Sequence, residues 1–404
     1  MKKRITLVLL FAFSLFALVG CEKDTTELNT LSMFGGTDAN KETYEGLIAE
    51  FEKETGNVVK NRSETSDEEW KASVIIDFLT GDEPDVLHYF TGETAKPLVD
   101  SKRVVSIEEI RAEYPDFAKN INPSVLGTHS VPTTGFVEGL FTNKDHFKSA
   151  ESKAYLDIKA MTWGQFKELL ALLVEENKDI PGYYPIAYGM DIPHYWLDHI
   201  VAAELGVNYY EEITKAGGED KMVNALLKLN ELNSYFSKDE GYANSEQGFF
   251  DGKYTFILDG SWFSGRVTLE NATALPFPIV NEEFGSPILA GFTSGFYITR
   301  KAWDNPVKRK AAVQFIEKMT SKEALTAFAT VGGFAADDTA IPTTVTPLNA
   351  ELAKLVSRAT YQVLPLGDAS VAGTYKGLVT GQASFVLGNK EEAKQVVKEY
   401  LSGQ

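Results

Sequence analysis

Between residues 28 and 90 two kinds of hydrophobic pattern take turns, and that alternation restricts the chain to a layered α/β architecture. "LNTLSMFGG" reads as a strand running into a Gly-Gly turn. Asn40 stands in a capping position ahead of Tyr44, Leu47, Ile48 and Phe51, which recur at helical spacing. Gly56 stops that helix and "NVVK" starts the next strand. Ser66 and Glu69 have capping-box spacing before a second helix carrying Trp70, Val74, Phe78 and Leu79. Gly81 closes it, and "PDVLHYF" is strand-like again. The order β-α-β-α-β predicts a largely parallel sheet flanked by helices.

The pattern then restarts. "GFVEGLFTNKDHF" (135–147) reads as a strand ending at Asn143, which can cap the next turn. Thr162 and Gln165 form a second capping box, and Phe166, Leu169, Leu170 and Leu173 line one helix face. "YPIAYG" and "GKYTFILDGSW" are strand-like, and a long helical region is expected from Trp196 to Phe236. Late in the chain come "GFYITRKA", a helix with Asn305 as cap and Pro306 in its first turn, and a final helix from Asn389. Its apolar face is Ala393, Val396, Val397, Tyr400 and Leu401.

The N-terminus sets the compartment. Lys2, Lys3 and Arg4 precede a nearly unbroken apolar run from Ile5 to Val19. That run is shorter than the ~20 residues a membrane-spanning helix needs, and it reads as a secretory signal over 1–20. Leu18-Val19-Gly20-Cys21 resembles a bacterial lipobox, which implies lipidation of Cys21 and a tether over 21–27. Cys21 is the sole cysteine, so the mature protein has no internal disulfide and must be held by packing. About 380 mature residues exceed one ordinary core and predict two domains. Loss of Lys2, Lys3 and Arg4 with the signal takes the net charge from −18 to −21. Such a surface repels phosphate backbones and argues against nucleic acid as a partner.

Signs of catalysis are weak. No G-x-S-x-G elbow is present, and no S-x-x-K carries the companions that a penicilloyl-serine enzyme needs. Of the five histidines, His194 and His199 lie five apart and miss the i, i+4 geometry of a zinc-binding helix. No metal or other cofactor is expected. Most carboxylates fall in runs such as "EEW" and "KEE", which read as solvated helix faces. Binding fits better. Phe34, Phe90, Tyr195, Trp196, Trp262 and Phe292 stand at turns and strand ends, where α/β sheets gather ligands. Aromatic faces suit the C–H face of a sugar ring, and nearby polar groups suit its hydroxyls. Gly36, Thr37, Asp38, Glu93, Glu138, Asp191 and Ser294 are the polar and backbone candidates. Trp70 and Trp163 read as packing. The eight arginines are scattered, which favours a neutral sugar over an anionic one.

The order of motifs resembles the family 1 extracellular solute-binding proteins of ABC importers, the carbohydrate-binding type akin to maltose-binding protein. The likeness is carried by the lipobox, "FEKETGNVV", "GDEPDV", "GLFTNKD", "TWGQFKELL", "GYYPIAYG", "GKYTFILDGSW" and "FIEKMTSKEALTAFATVGGFAADD". It implies a two-lobe periplasmic-binding-protein-like fold, each lobe a mostly parallel sheet flanked by helices, joined by crossing hinge strands. By that likeness the first lobe is 28–140 plus 287–337 and the second 141–286 plus 338–404. It further implies a monomer, lipid-anchored outside the cytoplasmic membrane, that hands a sugar or oligosaccharide to ABC permease subunits without covalent chemistry. Trp262 matches a recurrent family position near the sugar. The alternatives are a cell-surface glycan hydrolase and a sensor or adhesin without a permease.

Overall fold

The computed structural model describes residues 25–189, 194–239, 241–342 and 344–404. The expected lipidation site Cys21 and the candidate Asp191 lie outside them. The described strands are β1 (Glu27–Ser32), β2 (Val58–Ser63), β3 (Val86–Phe90), β4 (Thr134–Asn143), β5 (Tyr184–Ile186), β6 (Tyr254–Gly260), β7 (Ala272–Leu275), β8 (Pro287–Gly291), β9 (Ser294–Ile298), β10 (Phe334–Ala335) and β11 (Tyr361–Val363).

They form two sheets. The first has the order β2-β1-β3-β9, the second β11-β8-β4-β6-β5, with β7 and β10 also paired to β4. In the first sheet β1, β2 and β3 are parallel and β9 runs against them, with Phe90 opposite Ser294. In the second, β4 is antiparallel to β6, β7, β8 and β10. Each sheet is therefore parallel but for one reversed strand, β9 in the first and β4 in the second. Helices cover both faces of each sheet, as the alternation requires. Tyr44, Phe51, Phe296, Phe315 and Phe328 pack one face of the first sheet; Trp70, Val74, Phe78, Leu87 and Tyr89 pack the other. Trp163, Phe166, Leu170, Phe256 and Phe277 belong to the larger core of the second lobe.

The chain passes between the lobes three times. Val131 still bridges Phe296 of the first sheet, and β4 begins in the second at Thr134. β8 ends at Gly291 and β9 begins at Ser294 in the other sheet. The third passage follows Ala340: β10 pairs with the start of β4, Ala336 and Ala340 still pack in the first-lobe core, and the helix Pro347–Arg358 packs in the second lobe through Leu348, Leu352 and Leu355. The expected boundaries at 140/141 and 286/287 therefore differ from the crossings observed, because β4 and β8 lie wholly in the second sheet. The crossings are close-set. A Cβ on Gly135 would lie 2.8 Å from the Phe292 ring and 2.9 Å from the Gly291 carbonyl oxygen.

Local chemistry follows the expectations with a few exceptions. The Thr162/Gln165 capping box, the Asn305 cap ahead of Pro306 and the Asn389 cap are present. Ser66 does not cap the second helix. Asp67 does, accepting a hydrogen bond from the Trp70 amide at 2.7 Å, because it stands next to the first helical residue, Glu68. The Asn40 side chain makes no capping bond; its own amide donates to Asp38 at 2.8 Å. The region 196–236 is not one helix but His194–Leu205, Tyr209–Thr214, Gly218–Leu226 and a 3-10 stretch Leu227–Leu232. Gly206, at φ 82°, is the left-handed residue that ends the helix His194–Leu205, and Gly217, at φ 81°, stands at the start of the helix Gly218–Leu226. Leu79, read as part of an apolar face, is 74% exposed.

Candidate binding cleft

Between the lobes lies a cavity of about 480 Å³. The first lobe contributes Phe34, Asp38, Asp67, Glu68, Glu69, Lys71, His88 and Phe90, and the second Phe136, Glu138, His194, Tyr195, Asp198, Trp262, Asp368, Tyr375 and Lys376. Thr134, Gly135, Thr293, Ser294 and Gly332 line it at the crossings.

The second lobe presents an aromatic wall. Trp262 follows the end of β6, half-buried, with Phe136 at 5.6 Å and Tyr195 at 6.4 Å between ring centroids. Gly260 makes this possible, since a Cβ there would lie 2.3 Å from the Trp262 indole. Tyr195 comes from the helix His194–Leu205, whose near-total burial places it against the sheet. On the opposing side Phe90 is half-buried, and the Lys71 ammonium sits 4.0 Å from its ring centroid. Phe34 reaches the cavity, but its ring is stacked on His88 at 4.4 Å and Phe328 at 5.4 Å, so both faces are occupied by the core.

The polar groups form an acidic floor. Glu138 projects from β4 opposite Gly260 and is 3% exposed. Its Oε2 has no hydrogen-bond partner among the described residues. His199 Nδ1 lies 3.5 Å away, but its hydrogen is donated to the Tyr195 carbonyl at 2.8 Å. Burial lowers the His199 pKa to about 4, so the ring is neutral and brings no charge to the carboxyl. Burial first, then the negative charges of Asp198, Asp368 and Asp259, push the Glu138 pKa well above the usual carboxylate range. Burial and its acidic neighbours therefore favour the protonated form of this carboxyl. Asp198 is 1% exposed and accepts hydrogen bonds from the Tyr375 hydroxyl at 2.5 Å and the Gly367 amide at 3.3 Å. Burial raises its pKa to about 8, offset in part by the Tyr375 bond. Asp38 at the other end is raised to about 6 by burial, against the hydrogen bond from Asn40 and the charge of Arg266. His88, buried among Phe34 and Phe296 with neither ring nitrogen partnered among the described residues, is lowered to about 3 by burial and is neutral.

Phe34, Asp38, Phe90, Glu138, Tyr195, Trp262 and Ser294, among the candidates named from sequence, thus meet in one cavity. Gly36, Thr37 and Glu93 are solvent-exposed outside its lining. Trp196 turns into the second-lobe core, 3% exposed, with Phe236 at 5.5 Å and Phe277 at 5.7 Å. Phe292 packs over Gly135 at the crossing and is not part of the lining. Trp70 and Trp163 are buried. Sequence reasoning missed Lys71, His88, His194, Asp198, Asp368 and Tyr375. Only Asp198 carried a signal, an acid inside the apolar run "WLDHIVAA". Among the described residues no group of three or more His, Cys, Asp or Glu could hold a metal ion, and no helix is long and apolar enough to cross a membrane.

Residues 36–326 match the family described as bacterial extracellular solute-binding protein. No curated protein matches the sequence. Several solved structures share the fold. A chitin oligosaccharide binding protein superposes with a TM-score of 0.78 at 18% identity, over 94% of this chain and 100% of its own. The maltose/maltodextrin-binding domain MalE from Bdellovibrio bacteriovorus, bound to maltotriose, gives 0.71 at 16% identity, over 93% and 98%. A Streptococcus pneumoniae solute-binding protein in complex with the blood group A-trisaccharide gives 0.71 at 17% identity, over 93% and 100%. Likeness at these identities establishes the two-lobe fold.

Proposed function

The chain belongs to the bacterial extracellular solute-binding proteins, and from that premise we propose that it is the substrate-binding lipoprotein of an ABC importer, anchored through Cys21, that carries a neutral sugar or oligosaccharide to the permease. The supporting observation is the composition of the cleft. Phe136, Tyr195 and Trp262 form a wall suited to a sugar's C–H face, and beside it Glu138 Oε2 stands buried and, among the described residues, without a hydrogen bond. A buried polar atom without a partner costs about 1–3 kcal/mol. A sugar hydroxyl would supply the missing bond.

Charge supports neutrality. Among the described residues no arginine lines the cavity, and both lining lysines already pair with carboxylates, Lys71 with Glu68 at 2.8 Å and Lys376 with Glu69 at 3.6 Å. An anionic sugar would meet Asp67, Glu68, Glu69 and Asp368 with those two cations already engaged. Transport would follow from closure. A ligand touched by both lobes only when they are together shifts the equilibrium toward the closed form, and the permease reads the joined surface. No bond of the ligand is broken.

Isothermal titration of the purified mature protein against gluco-, galacto-, fructo- and xylo-oligosaccharides tests the reading. Saturable heat with at least one neutral sugar, and no release of reducing ends, is expected. Silence across the panel together with binding of an amino acid, peptide or polyamine overturns the substrate class; hydrolysis of any member overturns the transport role. Globomycin, or a Cys21→Ala variant, should release the protein from membranes if Cys21 is the anchor.

A further inference from the structure

The cleft's acidic floor contains an internal counter-ion delivered from the opposite lobe. Lys71 belongs to the helix Glu68–Thr80, which packs on the first sheet through Trp70, Val74 and Phe78. Its side chain is 7% exposed. Its Nζ lies 2.8 Å from Glu68 Oε1 of its own helix and 3.5 Å from Asp368 Oδ1 of the second lobe, over the face of Phe90. Burial alone would lower the Lys71 pKa, but Asp368, Glu68 and Asp198 outweigh it and the net shift is upward. The ammonium is therefore charged. Opposite it stand Asp198, Asp368 and Glu138, the last with no hydrogen bond to its Oε2 among the described residues.

A buried acidic group needs a cation or a proton. Were Lys71 absent, the floor would offer the Glu68 and Asp368 carboxylates to whatever entered the cleft, and a ligand bearing an ammonium group would be the favoured guest. We propose that Lys71 is a specificity-determining residue: its ammonium fills a cation seat in the second lobe, and by occupying that seat it makes the cleft select neutral sugars over amine-bearing ones. Selectivity here comes from excluding the wrong guest rather than from gripping the right one. Because the seat and its occupant sit on different lobes, the exclusion is complete only when the lobes are together. The selectivity rests on the sugar-binding reading; the existence of the seat does not.

Two measurements keep these apart. The first uses methylammonium chloride as probe on the mature protein, read by thermal shift against equal concentrations of sodium chloride. Lys71→Ala opens room at Asp368, and methylammonium should raise its melting temperature in a saturable way, while wild type shows no saturable shift. The double variant Lys71→Ala/Asp368→Asn should lose the effect. Equal shifts in wild type and Lys71→Ala, no shift in Lys71→Ala, or persistence in the double variant would each overturn the seat. The second compares a neutral sugar that wild type binds with its 2-amino-2-deoxy analogue. Lys71→Gln keeps the stem over Phe90 and removes the charge, so it serves even if the alanine variant does not fold. The ratio of neutral to amine affinity should fall at least tenfold in Lys71→Gln. An unchanged ratio overturns the selectivity. Wild type that binds no sugar overturns the function reading instead and leaves the methylammonium result standing.

Discussion

Glu138→Leu should make the unliganded protein more stable while abolishing most of its affinity. Glu138 is 3% exposed, its Oε2 has no hydrogen-bond partner among the described residues, and its carboxyl stands among Asp198, Asp368 and Asp259. Leucine is close to it in volume and removes the orphaned oxygen, which costs about 1–3 kcal/mol where it stands. A domain of about 150–250 residues gains ~2–4 °C in melting temperature per kcal/mol, so a rise of several degrees is expected in the second lobe. Leucine cannot hydrogen-bond a sugar hydroxyl. Loss of one such bond costs ~1–3 kcal/mol, a weakening of roughly 5- to 150-fold. Differential scanning calorimetry of both proteins without sugar, followed by titration with the sugar that wild type binds, reads both effects. A lower melting temperature in the variant would mean that the carboxyl has a structural partner. Unchanged affinity would mean that the ligand never reaches β4. Either result refutes the link drawn between an unsatisfied buried atom and the binding site.

Three further outcomes are expected. The Asp198 pKa of about 8 lies above its ordinary value of 3.8, so the folded state keeps a proton that the unfolded chain has lost; its contribution to stability is present below pH ~4 and is lost as pH rises through ~8. Asp198→Asn should flatten that decline, which urea unfolding at pH ~5 and pH ~8 would reveal, and an identical slope in both proteins would contradict it. Trp70, Trp163, Trp196 and Trp303 are at most 7% exposed whereas Trp262 is half-buried in the cleft; Trp262→Phe should therefore remove any sugar-induced change in tryptophan fluorescence, and a full-sized change in the variant would place the ligand elsewhere. Gly135→Ala forces a Cβ to within 3 Å of Phe292 and Gly291 and should cost ~1–3 kcal/mol in urea unfolding, whereas at Gly164 the nearest atom is 3.9 Å away and alanine should cost little; equal effects would show that the crossing tolerates expansion.

What the sequence reveals depends on whether a residue's environment is set locally. The β-α rhythm of 28–90, the Thr162/Gln165 box and the core faces at Tyr44, Phe51, Phe166 and Leu170 are set by neighbours a few positions away, and all can be read before any coordinate. The capping of the second helix fails by one residue, because Ser66 and Asp67 are both good caps and only the exit angle of β2 and its loop chooses between them. The lobe boundaries fail for a longer-range reason. A fully buried strand such as β4 has the same continuous apolar pattern whichever sheet receives it, so "GFVEGLF" signals a strand but not its partners.

Tyr195 and Trp196 show the limit most sharply. Both are large aromatics at the start of one helix, adjacent in sequence and so about 100° apart around its axis. One can face the cleft only if the other faces the core. Nothing in "HYWLDHI" says which, because the helix is buried on nearly all sides and has no solvated face to orient it. The choice is made by residues far along the chain. Phe236 and Phe277 accept the Trp196 indole, while Trp262 draws Tyr195 to the cavity. Asp198 is settled by the same rotation, since three residues after Tyr195 it falls on nearly the same face, and there it meets Tyr375 and the Gly367 amide. A site assembled from the ends of elements in two lobes thus has its chemistry written locally, as residue types, and its geometry written in contacts such as Asp198 to Tyr375, 177 positions apart. That division is why Trp262 and Glu138 could be named from their own motifs, while Lys71 and Asp368, 297 positions apart, acquire a role only when the fold brings them together.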